Sequence, residues 1–202
     1  MSTASKHLLI FCKNPVLGQC KTRLAASIGA EKALAVYEFL LTHTAKITTK
    51  VQAKRVVHYS NYIQTQDAFS DTIFNKAVQN GSDLGQRMAH ALEEAFDQGA
   101  TKAILIGSDL YDLSAALIES AFEALNDHDA VIGPASDGGY YLIGMNRPIS
   151  EIFNNKNWGT PSVLSDTLTN LTPYKTAILV EKNDIDTLSD LEPYDVFKAL
   201  IR

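Results

Sequence analysis

The chain has 202 residues, 46% of them hydrophobic and 20% charged, with 11 glycines. This is the make-up of one ordinary globular domain, here expected over residues 1–202, and it excludes a disordered or fibrous polymer. The net charge of −5 argues against general nucleic-acid binding, so cations that serve an anionic ligand must be gathered locally.

The apolar run Leu8 to Cys12 predicts a first strand. The loop after it, Lys13-Asn-Pro-Val-Leu-Gly-Gln-Cys-Lys-Thr-Arg-Leu24, places three cations (Lys13, Lys21, Arg23) around Pro15 and Gly18. Backbone N–H groups of such a turn can form an anion-binding concavity while the cations neutralise charge, which suits a polyphosphate. The loop is not of Walker A type, because Cys20 rather than glycine precedes Lys21. A solvated basic loop is the simpler alternative.

Glu31 to Ile47 has helical period, with Ala33, Leu34, Tyr37, Leu40 and Leu41 on one face. Arg55 to Tyr59 and Thr72 to Val78 read as short strands. Asp83-Leu-Gly-Gln86 predicts a capping box opening a helix that ends at Gly99. Arg87, one turn in, could help that helix start receive a phosphate or hydroxyl-rich group, although such a start is more often only capped. Lys102 to Gly107 predicts a buried strand, Ser114 to Leu125 a helix and Ala130 to Gly133 another strand. Tyr140 to Gly144 follows after a short loop and is expected to pair antiparallel. Thr160 as N-cap with Pro161 at N1 predicts a helix to about Leu171. Thr176 to Glu181 reads as the last strand, and Thr187 to Asp190 as a second capping box. The order βαβ…βαβ with one odd strand predicts a mostly parallel α/β sandwich.

Ligands of open α/β sheets lie beyond the carboxyl ends of the strands. Four polar clusters meet that condition: the basic loop, Gly107-Ser108-Asp109, Ser136-Asp137-Gly138-Gly139 and Asp184-Ile185-Asp186. Carboxylates facing a phosphate repel it unless a hard divalent cation intervenes, so Mg²⁺ or Mn²⁺ is expected, with Asp109 and Asp186 as its ligands. Each of the two could instead be a helix cap, and Asp184 competes with Asp186. Asp137 before two glycines is either a close-approach ligand turn or an Asp-Gly hairpin turn. Trp158 could wall a pocket or lie in the core.

The five histidines have no ligand spacing, and Cys12 and Cys20 form no Cys-x-x-Cys, so neither a His/Cys metal site nor a disulfide is implied. No apolar run has the length of a signal-peptide core or a bilayer span, which makes a cytoplasmic protein with reduced thiols the expectation.

Taken together, Phe11-x-Lys13-x-Pro15-x-x-Gly18-x-x-Lys21-Thr22-Arg23-Leu24, Gln79-x-Gly81-x-Asp83-Leu84-Gly85-x-Arg87-Met88, Gly107-Ser108-Asp109, Gly133-Pro134-Ala135-x-Asp137-Gly138-Gly139-Tyr140-Tyr141-Leu142, Trp158-Gly159-Thr160 and Asp184-Ile185-Asp186-Thr187 resemble the DUF2064 family of glycosyltransferase-A-like proteins. The resemblance spans nearly the whole chain. It implies a nucleotide-diphospho-sugar transferase fold, a three-layer α/β/α sandwich whose mostly parallel sheet holds one antiparallel strand. By position it implies phosphate contacts from Lys21 and Arg23, which together with the residues read above gives a candidate nucleotide site at Lys13, Gly18, Lys21, Thr22, Arg23, Asp83, Arg87, Ser108 and Asp109. It further implies that Asp137, Gly138 and Gly139 border the acceptor or sugar, where Trp158 is the candidate pocket wall, and that Asp109 and Asp186 hold the metal; the candidate catalytic residues are then Lys21, Asp109 and Asp137. Where the family usually reads Gly-Ser-Asp-x-Pro-Asp, this chain has Tyr111 for the proline, which removes a φ restraint from the turn holding Asp109.

The expected function is metal-dependent transfer from a nucleotide-activated donor to an unknown small-molecule acceptor, with glycosyl transfer from a nucleoside-diphosphate sugar leading. Nucleotidyl transfer, releasing pyrophosphate, is the enzymatic rival. A nucleotide-binding domain without turnover is the non-enzymatic one.

Overall fold

The structure is a computed structural model that describes residues 5–201. Seven strands form one sheet in the order β3-β2-β1-β4-β6-β5-β7. They are β1 (Lys6–Cys12), β2 (Lys54–Tyr59), β3 (Asn75–Val78), β4 (Lys102–Ile106), β5 (Ala130–Pro134), β6 (Tyr140–Met145) and β7 (Thr176–Ile178). Only β6 runs antiparallel, to both of its neighbours, β4 and β5.

The helices are α1 (Thr22–Ile28), α2 (Ala30–Thr48), α3 (Leu84–Asp97), α4 (Ala115–Ala124), α5 (Val163–Asn170), α6 (Leu188–Leu191) and α7 (Asp195–Lys198), with a 3₁₀ turn at Ser150–Phe153. The central strands read as unbroken apolar runs because both of their faces are covered. Leu8, Ile10 and Cys12 of β1 join Tyr37 and Leu41 of α2 and Ile118 and Phe122 of α4 in one core. Leu9 and Phe11 turn the other way, onto Met88 and Leu92 of α3. The result is the expected three-layer sandwich. A third cluster joins Leu24 of α1 and Val36 and Leu40 of α2 to Ile185, Leu191 and Phe197. No helix among the described residues is long and apolar enough to cross a membrane.

Several local expectations need correction. The basic loop is shorter than expected, since Thr22 already begins α1. Thr72 and Ile73 form a turn before β3, with both Ile73 and Phe74 N–H groups donating to the Ser70 carbonyl. Thr160 does not cap α5; its hydroxyl donates to the Asn157 carbonyl at 2.7 Å, and the helix starts at Val163 after one more turn. The carboxylate of Asp83 caps α3 by accepting the Gln86 N–H at 2.9 Å, but the Gln86 amide reaches back to the Ser82 N–H instead of closing the box. β7 stops at Ile178, and its pairing with the β5 side continues irregularly as far as a bridge between Ala135 and Lys182. The Thr187–Asp190 capping box is present at α6.

Candidate active site

At the carboxyl end of β1 the chain makes an unusual turn. Lys21, the residue that caps α1, sits in the left-handed region at φ 51° and ψ 44°. A lysine there costs about 1 kcal/mol against ordinary backbone, and such strain concentrates at functional positions. Its side chain is buried, 4% exposed, and its ammonium lies 2.7 Å from Asp109 Oδ2 and 3.9 Å from Asp186 Oδ1. Arg23, one residue into α1, is largely exposed and places Nη1 3.0 Å from Asp186 Oδ2.

The loop carrying these cations is pinned at several points. The Tyr37 hydroxyl accepts the Lys13 N–H and donates to the Lys13 carbonyl. The Asn14 side chain donates to the Tyr62 carbonyl and accepts the Asn61 N–H. These hydrogen bonds fix the start of the loop, while the Lys21 side chain itself is held by Asp109 and Asp186.

The acidic side is positioned by alternation around one apolar anchor. Ile185 is fully buried in the third cluster and its N–H donates to the Asp109 carbonyl at 3.1 Å. This leaves Asp184 and Asp186 on either side of it, both lining the cleft. The turn after Asp109, which lacks the proline of the family pattern, is held by packing instead. Tyr111 stacks among His43, Tyr194 and Phe197, and its carbonyl meets His43 Nε2 at 2.8 Å.

The third acidic group comes from the β5–β6 connection. Asp137 Oδ1 accepts the Gly139 N–H at 2.8 Å in an Asx turn, and Asp137 also walls the cleft. The backbone turn is closed by the Gly138 N–H donating to the Ala135 carbonyl, so the central residues are Ser136 and Asp137 rather than an Asp-Gly pair. Gly138, at φ +89°, approaches Pro161 so closely that a Cβ there would stand 2.4 Å from the proline Cα. Gly138→Ala is therefore expected to cost about 2–3 kcal/mol, read as a lowered thermal midpoint by circular dichroism; an unchanged midpoint would mean that the turn relaxes freely.

These elements enclose a cleft of about 370 Å³, lined by Lys21, Arg23, Asp109, Asp137, Asp184 and Asp186, with Ser136, Asn183 and Thr187 as neutral polar walls. Asp190 also reaches it but is spent on the α6 cap, where its carboxylate accepts the Asp186 and Thr187 N–H groups and stays below its ordinary pKa. Asp184 behaves oppositely. Burial first, then the charges of Asp109 and Asp137, push its carboxyl up to about 7, with Lys21 only partly offsetting them.

The donor set, hard carboxylate oxygens in excess of cations, fits Mg²⁺ or Mn²⁺ in kind. No group of three or more His, Cys, Asp or Glu among the described residues is arranged to hold an ion. The cation standing between Asp109 and Asp186 is the Lys21 ammonium.

Other residues singled out from the sequence lie elsewhere. Lys13, Gly18 and Thr22 are exposed and do not line the cleft. Ser108 is buried, with its hydroxyl 3.3 Å from Asp109 Oδ1, so it meets that carboxylate from behind. Asp83 is occupied as a cap, and Arg87 Nε donates to the Gly81 carbonyl beside a separate cavity containing His58 and His90. Gly139 and Trp158 line a smaller pocket that shares Asp137 and Asp184 with the cleft. That pocket's apolar members, Leu84, Met88 and Tyr140, stand in the family motifs but receive no site role from the sequence, because helical and strand periodicity assigns such residues to a core. The sequence signal is position: Leu84 directly follows the Asp83 N-cap, which sets an apolar residue at the start of α3, and in the structure it is 43% exposed.

A seven-stranded sheet with a reversed β6 and a charged cleft over the carboxyl ends of β1 and β4 is the fold of the nucleotide-diphospho-sugar transferases. The chain belongs to the DUF2064 family, described as uncharacterized proteins conserved in bacteria, whose profile matches residues 43–160. A protein from Desulfovibrio desulfuricans G20, provisionally described as a nucleotide-diphospho-sugar transferase, superposes with a TM-score of 0.88 at 29% identity over 99% of this chain and 95% of its own. CMP:2-keto-3-deoxy-manno-octonic acid synthetase, solved with CTP, gives 0.61 at 10% identity over 97% and 99%. Rv0371c from Mycobacterium tuberculosis H37Rv, solved with manganese, gives 0.58 at 13% identity over 98% of each chain. The last two likenesses are of fold alone. No curated protein sequence matches the chain.

Proposed function

We propose that this protein is a transferase acting on a nucleotide-activated donor, and that the reaction is glycosyl transfer from a nucleoside-diphosphate sugar. The observation that carries this reading is Lys21: a buried, backbone-strained ammonium among aspartates, with Arg23 beside it, at the sheet edge where this fold class takes its ligands. The two cations face the diphosphate. Ser136, Asn183 and Thr187 offer partners for sugar hydroxyls. Asp109 and Asp186 would hold Mg²⁺ or Mn²⁺, which when bound supplies Lewis-acid stabilisation of the departing diphosphate. Asp137 or Asp184 takes the acceptor's proton. Asp184, with its pKa near 7, matches a general base working at neutral pH.

Nucleotidyl transfer is the second reading, supported by the fold shared with the CTP-bound synthetase. Thermal shifts against nucleoside-diphosphate sugars and nucleoside triphosphates, each with Mn²⁺ or with chelator, separate the two, since a ligand that binds only the folded state raises its stability. Metal-dependent stabilisation by nucleoside-diphosphate sugars supports the first reading, and stabilisation by triphosphates alone the second. Asp109→Ala should abolish metal-dependent nucleotide binding; unchanged affinity in calorimetry would remove Asp109 from the site.

A further inference from the structure

We infer that the acceptor is an alcohol carried on an apolar body, seated in the smaller pocket that opens off the anionic cleft; this rests on the glycosyl-transfer reading above. The pocket, about 200 Å³, lies between the first turn of α3, the start of β6 and the segment 158–163. Leu84, Met88, Tyr140, Trp158 and Val163 form its walls, while Asp137 and Asp184 stand where it meets the cleft.

The walls are built rather than incidental. The Trp158 indole lies over Gly85, where a Cβ would come within 2.7 Å of Cζ2 and 2.8 Å of Nε1, so only glycine admits the ring. Tyr140 meets that indole edge to face, 6.5 Å between centroids at 82°. Leu84 lies beside the face that α3 buries, remains 43% exposed and lines the pocket next to Met88.

The division of labour follows from hydrogen-bond accounting. A sugar brings several hydroxyls, and each one buried without a partner costs about 1–3 kcal/mol. The cleft supplies those partners; the small pocket offers mostly hydrocarbon and aromatic surface, with Thr160 and the two carboxylates at its edge. A ring or branched alkyl group bearing one hydroxyl therefore fits it, hydroxyl toward the aspartates. In the transfer, the acceptor oxygen forms a bond to the donor's anomeric carbon as the bond from that carbon to the diphosphate oxygen breaks. The acceptor proton passes to Asp137 or Asp184, and the nucleoside diphosphate leaves with the electron pair.

Trp158 is the single tryptophan of the chain, so its fluorescence reports this pocket directly. We expect cyclohexylmethanol, added to the full chain without nucleotide, to change that fluorescence saturably, while D-glucose at equal concentration does not. Leu84→Glu, at an exposed helix start that favours an acidic residue, should fold with an unchanged thermal midpoint and weaken the alcohol about tenfold or more. No saturable change, an equal response to glucose, or an unaltered affinity in Leu84→Glu would each overturn the inference. Because no nucleotide is present, failure of the donor reading leaves this titration interpretable, and a failed titration leaves donor binding to be measured separately.

Discussion

Lys21→Met weakens the binding of a nucleoside diphosphate about 30-fold in calorimetry while leaving the fold intact. The methionine keeps most of the buried stem and removes only the ammonium, which sits 2.7 Å from Asp109 and 3.9 Å from Asp186. A charge-assisted contact to phosphate is worth about 2 kcal/mol, hence the factor. The same substitution frees the two carboxylates from their internal cation, so Mn²⁺ alone should bind more tightly than to the native chain. Opposite movement of the two affinities is the signature of a lysine that serves the phosphate. Unchanged nucleotide binding would instead mean that Lys21 only neutralises Asp109. Lys21→Arg is not expected to rescue, because the bulkier planar guanidinium must be housed where the lysine side chain is only 4% exposed.

Asp184→Asn stabilises the protein at pH 8 and leaves it nearly unaffected at pH 4, measured in chelator. The carboxyl of Asp184 is pushed up to about 7 by burial and by Asp109 and Asp137. Well below pH 4 the group carries its proton in both the folded and the unfolded chain and makes no difference. As the pH rises from about 4 to 7 the unfolded chain releases the proton first, so stability falls across that window and the penalty is complete above it. Removing the charge recovers about 2 kcal/mol at pH 8. A stability difference independent of pH would show that the amide acts through packing rather than through the lost charge. If Asp184 is the general base, the same variant loses turnover while gaining stability, the trade expected of a charge kept for function.

The helices with strong apolar period and the buried strands could be read directly, because their burial pattern repeats along the sequence: α2 through Ala33, Tyr37, Leu40 and Leu41, and β4 as an uninterrupted Lys102–Ile106 run. The helix α1 and the start of α5 could not. The seven residues of α1 follow an N-cap lysine in the left-handed region, a conformation no local rule assigns to lysine. Thr160-Pro161 has the letters of a helix start, but the threonine hydroxyl finds the Asn157 carbonyl first.

The site was legible as an edge. The rule that polar residues after strands face the ligand brought Lys21, Arg23, Asp109, Asp137 and Asp186 to one place. It could not separate a residue that faces the cleft from one that supports it, so Ser108 entered the same group although it is buried. It left Asp184 competing with Asp186, because which of the two meets the neighbouring charges depends on how Ile185, between them, is anchored in the core. What the sequence hides is the direction of each side chain, and that is fixed by tertiary contacts.

The ion pair between Arg23 and Asp186 joins residues 163 positions apart, and Ile185 fastens its end to the loop after β4. A contact of that separation pays its loop-closure entropy only once nearly the entire chain is available. During synthesis, when earlier portions fold as they emerge, the sheet core of β1, β2 and β4 can assemble while half of the anionic cleft has not yet been translated. The binding centre is thus a late event on the folding route, and an incompletely made copy of the protein holds its cations without the carboxylates that complete the cleft.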